Sequence, residues 1–170
     1  ASDAPGLLQF YIPTINGQAI AGLATTGGTL TDFFARYLAK VAKQMQLGDA
    51  GHLDIALAIV EVPALPIDTV LAQNFPSLTS IAAIKMDVEG HEPAALRGAR
   101  QTLSKHKPLL MIEGGNRNRA VVAEMTGHGY FHCERREGKL FAHPLKISCV
   151  DGFWVHHDRT AEYRSLGLVD

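Results

Sequence analysis

Apolar and polar positions alternate with readable periods along most of the chain. Residues 7–12 (Leu-Leu-Gln-Phe-Tyr-Ile) predict a short strand stopped by Pro13 and followed by a turn at Asn16-Gly17. Phe34, Leu38, Val41 and Met45 recur at helical spacing, so a helix is expected from Thr31 or Asp32 until Gly48 closes it. Residues 55–62 are apolar apart from Glu61 and predict a strand; 67–73 predict a short helix capped by Asp68. The compact run 81–88 reads as a buried parallel strand. It ends in Glu89-Gly90-His91-Glu92, and Pro93 then opens a helix whose stripe is Leu96, Ala99 and Leu103.

Residues 108–113 give a second buried strand, ending in Gly114-Gly115-Asn116. A helix over about 117–126 turns Val121, Val122 and Met125 inward. Segments 130–134 and 139–143 flank Glu137-Gly138 as a hairpin, and 152–156 form a last strand. This order is the grammar of an open, mostly parallel α/β sheet. Its antiparallel ending suggests a methyltransferase-like sheet, and all 170 residues read as one domain.

Composition narrows the classes. Hydrophobic residues are 46% and charged ones 19%, enough for a globular core. Sixteen basic against seventeen acidic residues leave a net charge of −1, which disfavours nucleic acid and anionic membrane as partners. No apolar run approaches the width of a bilayer. Cys133 and Cys149 make no disulfide framework, and Cys133 reads as a small core residue, which favours a cytoplasmic setting. The opening Ala-Ser-Asp-Ala-Pro-Gly, without Met, reads as a cut from something longer.

In sheets of this kind ligands bind beyond the carboxyl ends of the strands. That rule selects Asp87 to Glu92 on one strand end and Glu113 to Asn116 on the next. Carboxylates there orient a hydroxyl, act as general base or hold a divalent metal. Glu89 and Glu92 equally suit a helix N-terminus, where negative charge is favoured. Asp87 and Glu113, with Asn116 nearby, would make an oxygen site for a hard cation. Such sites carry no diagnostic spacing, so no metal is assigned.

Other signals fall away. Gly22-x-x-x-x-Gly27-Gly28-Thr29 outlines a phosphate loop but puts Gly28 where the lysine belongs. His128 and His132 are separated by the break at Gly129, and the eight histidines read as scattered over the surface. Ser104 and Ser148 have no nucleophile elbow. Arg97, Arg100, Lys105 and Lys107 read as a solvated helix face.

The segment Ile84-Lys-Met-Asp-Val-Glu-Gly-His-Glu-Pro-Ala-Ala-Leu-Arg-Gly-Ala99 resembles the FkbM family of S-adenosylmethionine-dependent methyltransferases. That family carries a Lys-apolar-Asp-apolar-Glu-Gly-x-Glu strand end before a helix with Leu-x-Gly-Ala. Residues 62–71, 107–113 and Gly129-Tyr130-Phe131 are similar to neighbouring family segments. The family's upstream Asp-x-Gly-Ala-Asn-type turn has no counterpart here. The resemblance therefore implies the carboxyl-terminal portion of a Rossmann-like sheet lacking its first strands. A second copy of the chain could cover the bare edge, so a homo-oligomer is one expectation.

The implied chemistry is methyl transfer from S-adenosylmethionine to a hydroxyl of a sugar or secondary metabolite. Asp87 would face the methyl group and touch the cofactor; Glu89, His91, Glu92 and Glu113 would orient the acceptor or take its proton. Two alternatives stand beside this reading. One is a non-catalytic α/β binding or assembly module derived from the same fold. The other is a metal-dependent hydrolase or isomerase using Asp87, Glu89 and Glu113.

Overall fold

A computed structural model describes residues 1–20, 24–26, 55–114, 117–142 and 151–170. The helix expected over 31–48, most of the glycine-rich loop at 22–29, Gly115, Asn116, Ser148 and Cys149 lie outside the described residues. The chain divides into two compact units, one of residues 6–63 and one of residues 1–5 with 64–170.

The first unit holds a three-stranded sheet in the order β2-β1-β3, with β1 Gly6–Ile15, β2 Gln18–Ala19 and β3 Ile55–Ala64. Asn16 and Gly17 take φ values of 50° and 77°, the two left-handed positions that an Asn-Gly hairpin turn requires. Pro13 does not stop β1 as its ring predicts. Its carbonyl accepts from Ile20 N–H at 2.8 Å, and the ladder asks it for no donor. Gln9 Nε2 donates to Glu61 Oε1 across β1 and β3 at 2.9 Å.

The second unit holds the candidate site residues of both strand ends. Its elements run α1 Ile67–Asn74, β4 Ala83–Met86, α2 Glu92–Arg97, α3 Arg100–His106, β5 Leu109–Glu113, α4 Arg119–Gly127, β6 Tyr130–Arg136, β7 Lys139–Ala142, β8 Asp151–His156 and α5 Thr160–Ser165. The sheet order is β4-β5-β8-β6-β7. Strands β4 and β5 are parallel; β8 enters between β5 and β6 and is antiparallel to both. The described sheet is therefore mixed, with one parallel pairing, rather than mostly parallel with a terminal hairpin. The last strand returns into the middle, which local periodicity does not encode. The architecture is compatible with a methyltransferase-like α/β fold.

Register sorts the side chains onto two faces. Leu110 opposes Trp154, Trp154 opposes His132, and His156 opposes Tyr130. This face packs with Leu96, Ala99, Leu103, Val121 and Met125 into the larger core. Cys133, Val155 and Leu140 pack with Tyr163 and Val169 into a smaller one. Burial there pushes the Cys133 thiol up to about 12, which makes it an unreactive core residue.

Several local readings change. The helix after Pro93 is broken at Gly98 into α2 and α3, although Leu96, Ala99 and Leu103 are all fully buried. The Ser2 carbonyl lies where a Cβ on Gly98 would sit, only 1.9 Å from that position. Asp68 does not cap its own helix, whose N-cap is Pro66. Its carboxylate instead accepts from Gln101 N–H and Thr102 N–H at 2.8 Å and from Thr102 Oγ1 at 2.6 Å, closing the start of α3. The strand expected to be buried at 81–88 is the short edge strand β4, with Ala83 and Lys85 exposed. At the other edge the chain end covers β7: Leu140 N–H donates to Leu168 and Asp170 N–H to Leu140.

The histidines are not all at the surface. His132 and His156 are buried, because strand alternation turns them onto the face of Trp154 and Tyr130. The Arg97 and Arg100 guanidiniums also have acidic partners, Asp3 and Glu124 for Arg97 and Glu124 for Arg100.

Candidate active site

The pairing of Met86 with Ile112 continues by one step to set Asp87 beside Glu113, each closing a parallel strand at its carboxyl end. The Asp87 carboxyl is held below its ordinary range, first by the Lys85 ammonium, whose Nζ donates at 3.1 Å, and next by a hydrogen bond with Glu113. The convergence read from the two strand ends is thus present in space. Glu113 also opposes Asp151 in the β5–β8 register, which places a third acidic position on this rim. That position escaped sequence reading because only the insertion of β8 beside β5 creates it.

The loop after Asp87 is drawn tight. Glu89 and Gly90 take φ values of 52° and 97°, and His91 N–H donates to Val88 at 3.1 Å. Glu92 is buried, and its Oε1 accepts from both Val88 N–H and Gly90 N–H at 3.2 Å. Glu92 therefore stands at the first turn of α2 and clasps the loop that presents Asp87 and Glu89. His91 is half-buried, with Nε2 3.1 Å from Ser2 Oγ. Sequence reading missed Ser2, whose role depends on a contact 89 residues away.

Glu89 moves opposite to Asp87. Partial burial raises its pKa, and the charges of Asp87 and Glu92 raise it further. Two carboxyl groups two residues apart thus hold protons with different strength, the arrangement from which acid and base roles are divided. Among the described residues no group of three or more His, Cys, Asp or Glu is arranged to hold a metal ion. No described helix is long and apolar enough to cross a membrane.

Among the described residues Glu89 is one of four non-glycine residues with positive φ, and unlike Asn16 and Glu137 it is not in a hairpin turn. A left-handed L-residue costs roughly 1–2 kcal/mol, against about 0.5–1 kcal/mol of extra chain entropy for glycine. Glu89→Gly is accordingly expected to raise stability by about 0.5–1 kcal/mol in urea unfolding. A destabilised variant would mean that contacts of the Glu89 side chain outweigh the strain.

A mixed sheet flanked by helices, with carboxylates at two neighbouring strand ends, places the chain among α/β proteins. Residues 7–145 match the model of the methyltransferase FkbM domain, and the chain belongs to that family. The match includes both strand ends, Asp87 to Glu92 and Glu113. Comparison with curated proteins and with solved structures returns no match. Family membership brings methyl transfer as the activity at the level of the family.

Proposed function

We propose that this chain carries out S-adenosylmethionine-dependent O-methyl transfer to a hydroxyl of a sugar or other small molecule. The observation that carries the reading is the family match over residues 7–145, which takes in the carboxylates of both strand ends, Asp87 with Glu89 and Glu113. The reading takes β4, β5, β8 and β6 as part of a Rossmann-like methyltransferase sheet, with its ligands on the rim formed by Asp87 and Glu113.

The donor set suits the cofactor. Ionised Asp87 accepts hydrogen bonds and offers negative charge to a cationic group, and Glu113 extends that acceptor surface. When bound, S-adenosylmethionine supplies a methyl group made electrophilic by its sulfonium. The protein then has to place an acceptor oxygen in line and remove its proton. Asp87 stays ionised across the neutral range and orients the acceptor hydroxyl. Glu89, with its raised proton affinity, is the base that takes the proton, and His91 stands beside it as the alternative. Glu92 holds the loop in the conformation that presents both.

Calorimetric titration of the folded chain with S-adenosylmethionine and with S-adenosylhomocysteine tests the proposal. Saturable binding that Asp87→Ala weakens at least tenfold is the expected result, followed by turnover in an acceptor screen. Absence of binding by a chain shown to be folded would instead favour the non-catalytic module.

A further inference from the structure

Strand β8 ends at His156, and the chain turns at once through a 3-10 turn, His157–Arg159, into α5. Alternation along β8 puts the His156 ring on the buried face, edge-on to Tyr130 at 5.0 Å. Gly129 closes over it: a Cβ there would lie 3.1 Å from Nε2. In this fixed position Nδ1 accepts from the Asp158 N–H at 3.0 Å and caps the turn. An imidazole nitrogen has a single lone pair in the ring plane. A proton on Nδ1 and the Asp158 amide cannot use it together.

The segment that this cap starts covers part of the sheet. Tyr163 and Val169 fill the smaller core against Cys133, Leu140 and Val155. Leu140 N–H donates to Leu168 at 2.8 Å and Asp170 N–H to Leu140 at 3.0 Å, so the docked segment pairs the outer edge of β7.

The surroundings of the ring favour its neutral form. Burial is the largest effect and holds the pKa of His156 below its ordinary value. Asp158 opposes it with Oδ2 at 3.9 Å from Nδ1, but that carboxylate also pairs with Lys107. The charges of Lys107 and His157 push the same way as burial, and a hydrogen bond with the His128 backbone pushes against it. From β6 the facing ring is the uncharged Tyr130, while His132 stands against Trp154. The Arg159 guanidinium is turned to Glu162 and the His106 carbonyl.

We propose that His156 is a pH-sensitive latch: when neutral it caps residues 157–170 onto the sheet, and when protonated it releases them. This device is independent of the methyl-transfer reading and stands or falls without it. The released ring titrates near its ordinary value of 6.5 and the docked ring below it. Docking is therefore strongest above that value and is lost as pH falls through the lowered pKa of the docked ring.

Amide hydrogen exchange, corrected for its intrinsic pH dependence, tests the latch. Between about pH 7.5 and 5, protection at Leu140, Leu168 and Asp170 should fall about fivefold, while the amides of β5 keep theirs. His156→Asn puts an amide oxygen near the place of Nδ1 without a titrating group, and should make that protection independent of pH. His157→Gln should leave the response as it is. Nitrogen-15 signals of His156 in the unsubstituted chain give a reading that needs no variant. Nδ1 should take its proton with the same midpoint as the loss of protection at Leu168. A proton gained without loss of protection would overturn the proposal. So would a response that persists in a folded His156→Asn chain, or an equal loss in β5.

Discussion

Trp154→Ala is expected to remove about 3–5 kcal/mol of stability, the largest loss from any single truncation in the second unit. Trp154 is fully buried on β8, flanked in register by Leu110 of β5 and His132 of β6. Its ring meets His132 edge-on at 5.3 Å. It belongs to the core that joins the sheet to α2, α3 and α4, so its cavity would open beneath all three helices. Domains of ordinary stability hold only about 5–15 kcal/mol in total, and the variant should melt near working temperatures.

The indole offers a second comparison. Its Nε1 is buried without a hydrogen-bond partner among the described residues, and so is the Tyr130 hydroxyl. Trp154→Phe keeps an aromatic body while removing an unsatisfied donor, which offsets part of the lost contact area. That variant should cost less than half of what Trp154→Ala costs in urea or thermal unfolding. Equal costs for the two would show that the N–H contributes to native stability.

What was legible in the sequence follows how locally each feature is determined. The Asn16-Gly17 and Glu137-Gly138 turns could be read because a left-handed second position selects glycine, and Asn16 also suits the first. The meeting of Asp87 and Glu113 was legible too, since two neighbouring parallel strands bring their carboxyl ends to one rim. At Gly98 the Ser2 carbonyl fills the place of a Cβ, and the start of α3 is closed by Asp68, more than thirty residues earlier. No window of periodicity contains either partner. The last strand, β8, was recognised, yet its place between β5 and β6 was not; that place buries His132 and His156 and brings Asp151 to the rim. Helix α5 was missed because Tyr163 is its one buried residue, which leaves no stripe to detect.

Asp87→Asn is expected to lower kcat/KM for methyl transfer at least 100-fold, with Glu113→Gln costing no more than about fivefold. The contrast follows from what each substitution leaves behind. The Asp87 carboxyl is held below its ordinary range first by Lys85 and next by its hydrogen bond with Glu113. An amide at position 113 still hydrogen-bonds Asp87, whereas an amide at position 87 removes the charge and leaves Lys85 without its carboxylate. Glu113→Ala removes that hydrogen bond altogether and lets the pKa of Asp87 rise toward its ordinary value. The acid limb of the pH–rate profile is set by Glu89, whose raised pKa is met first as pH falls, and should stay where it is. Carbon-13 titration of the Asp87 carboxyl reads the rise without any acceptor. A Glu113→Gln variant as damaged as Asp87→Asn would overturn the division of roles between the two, because it would make the Glu113 carboxylate itself the necessary group.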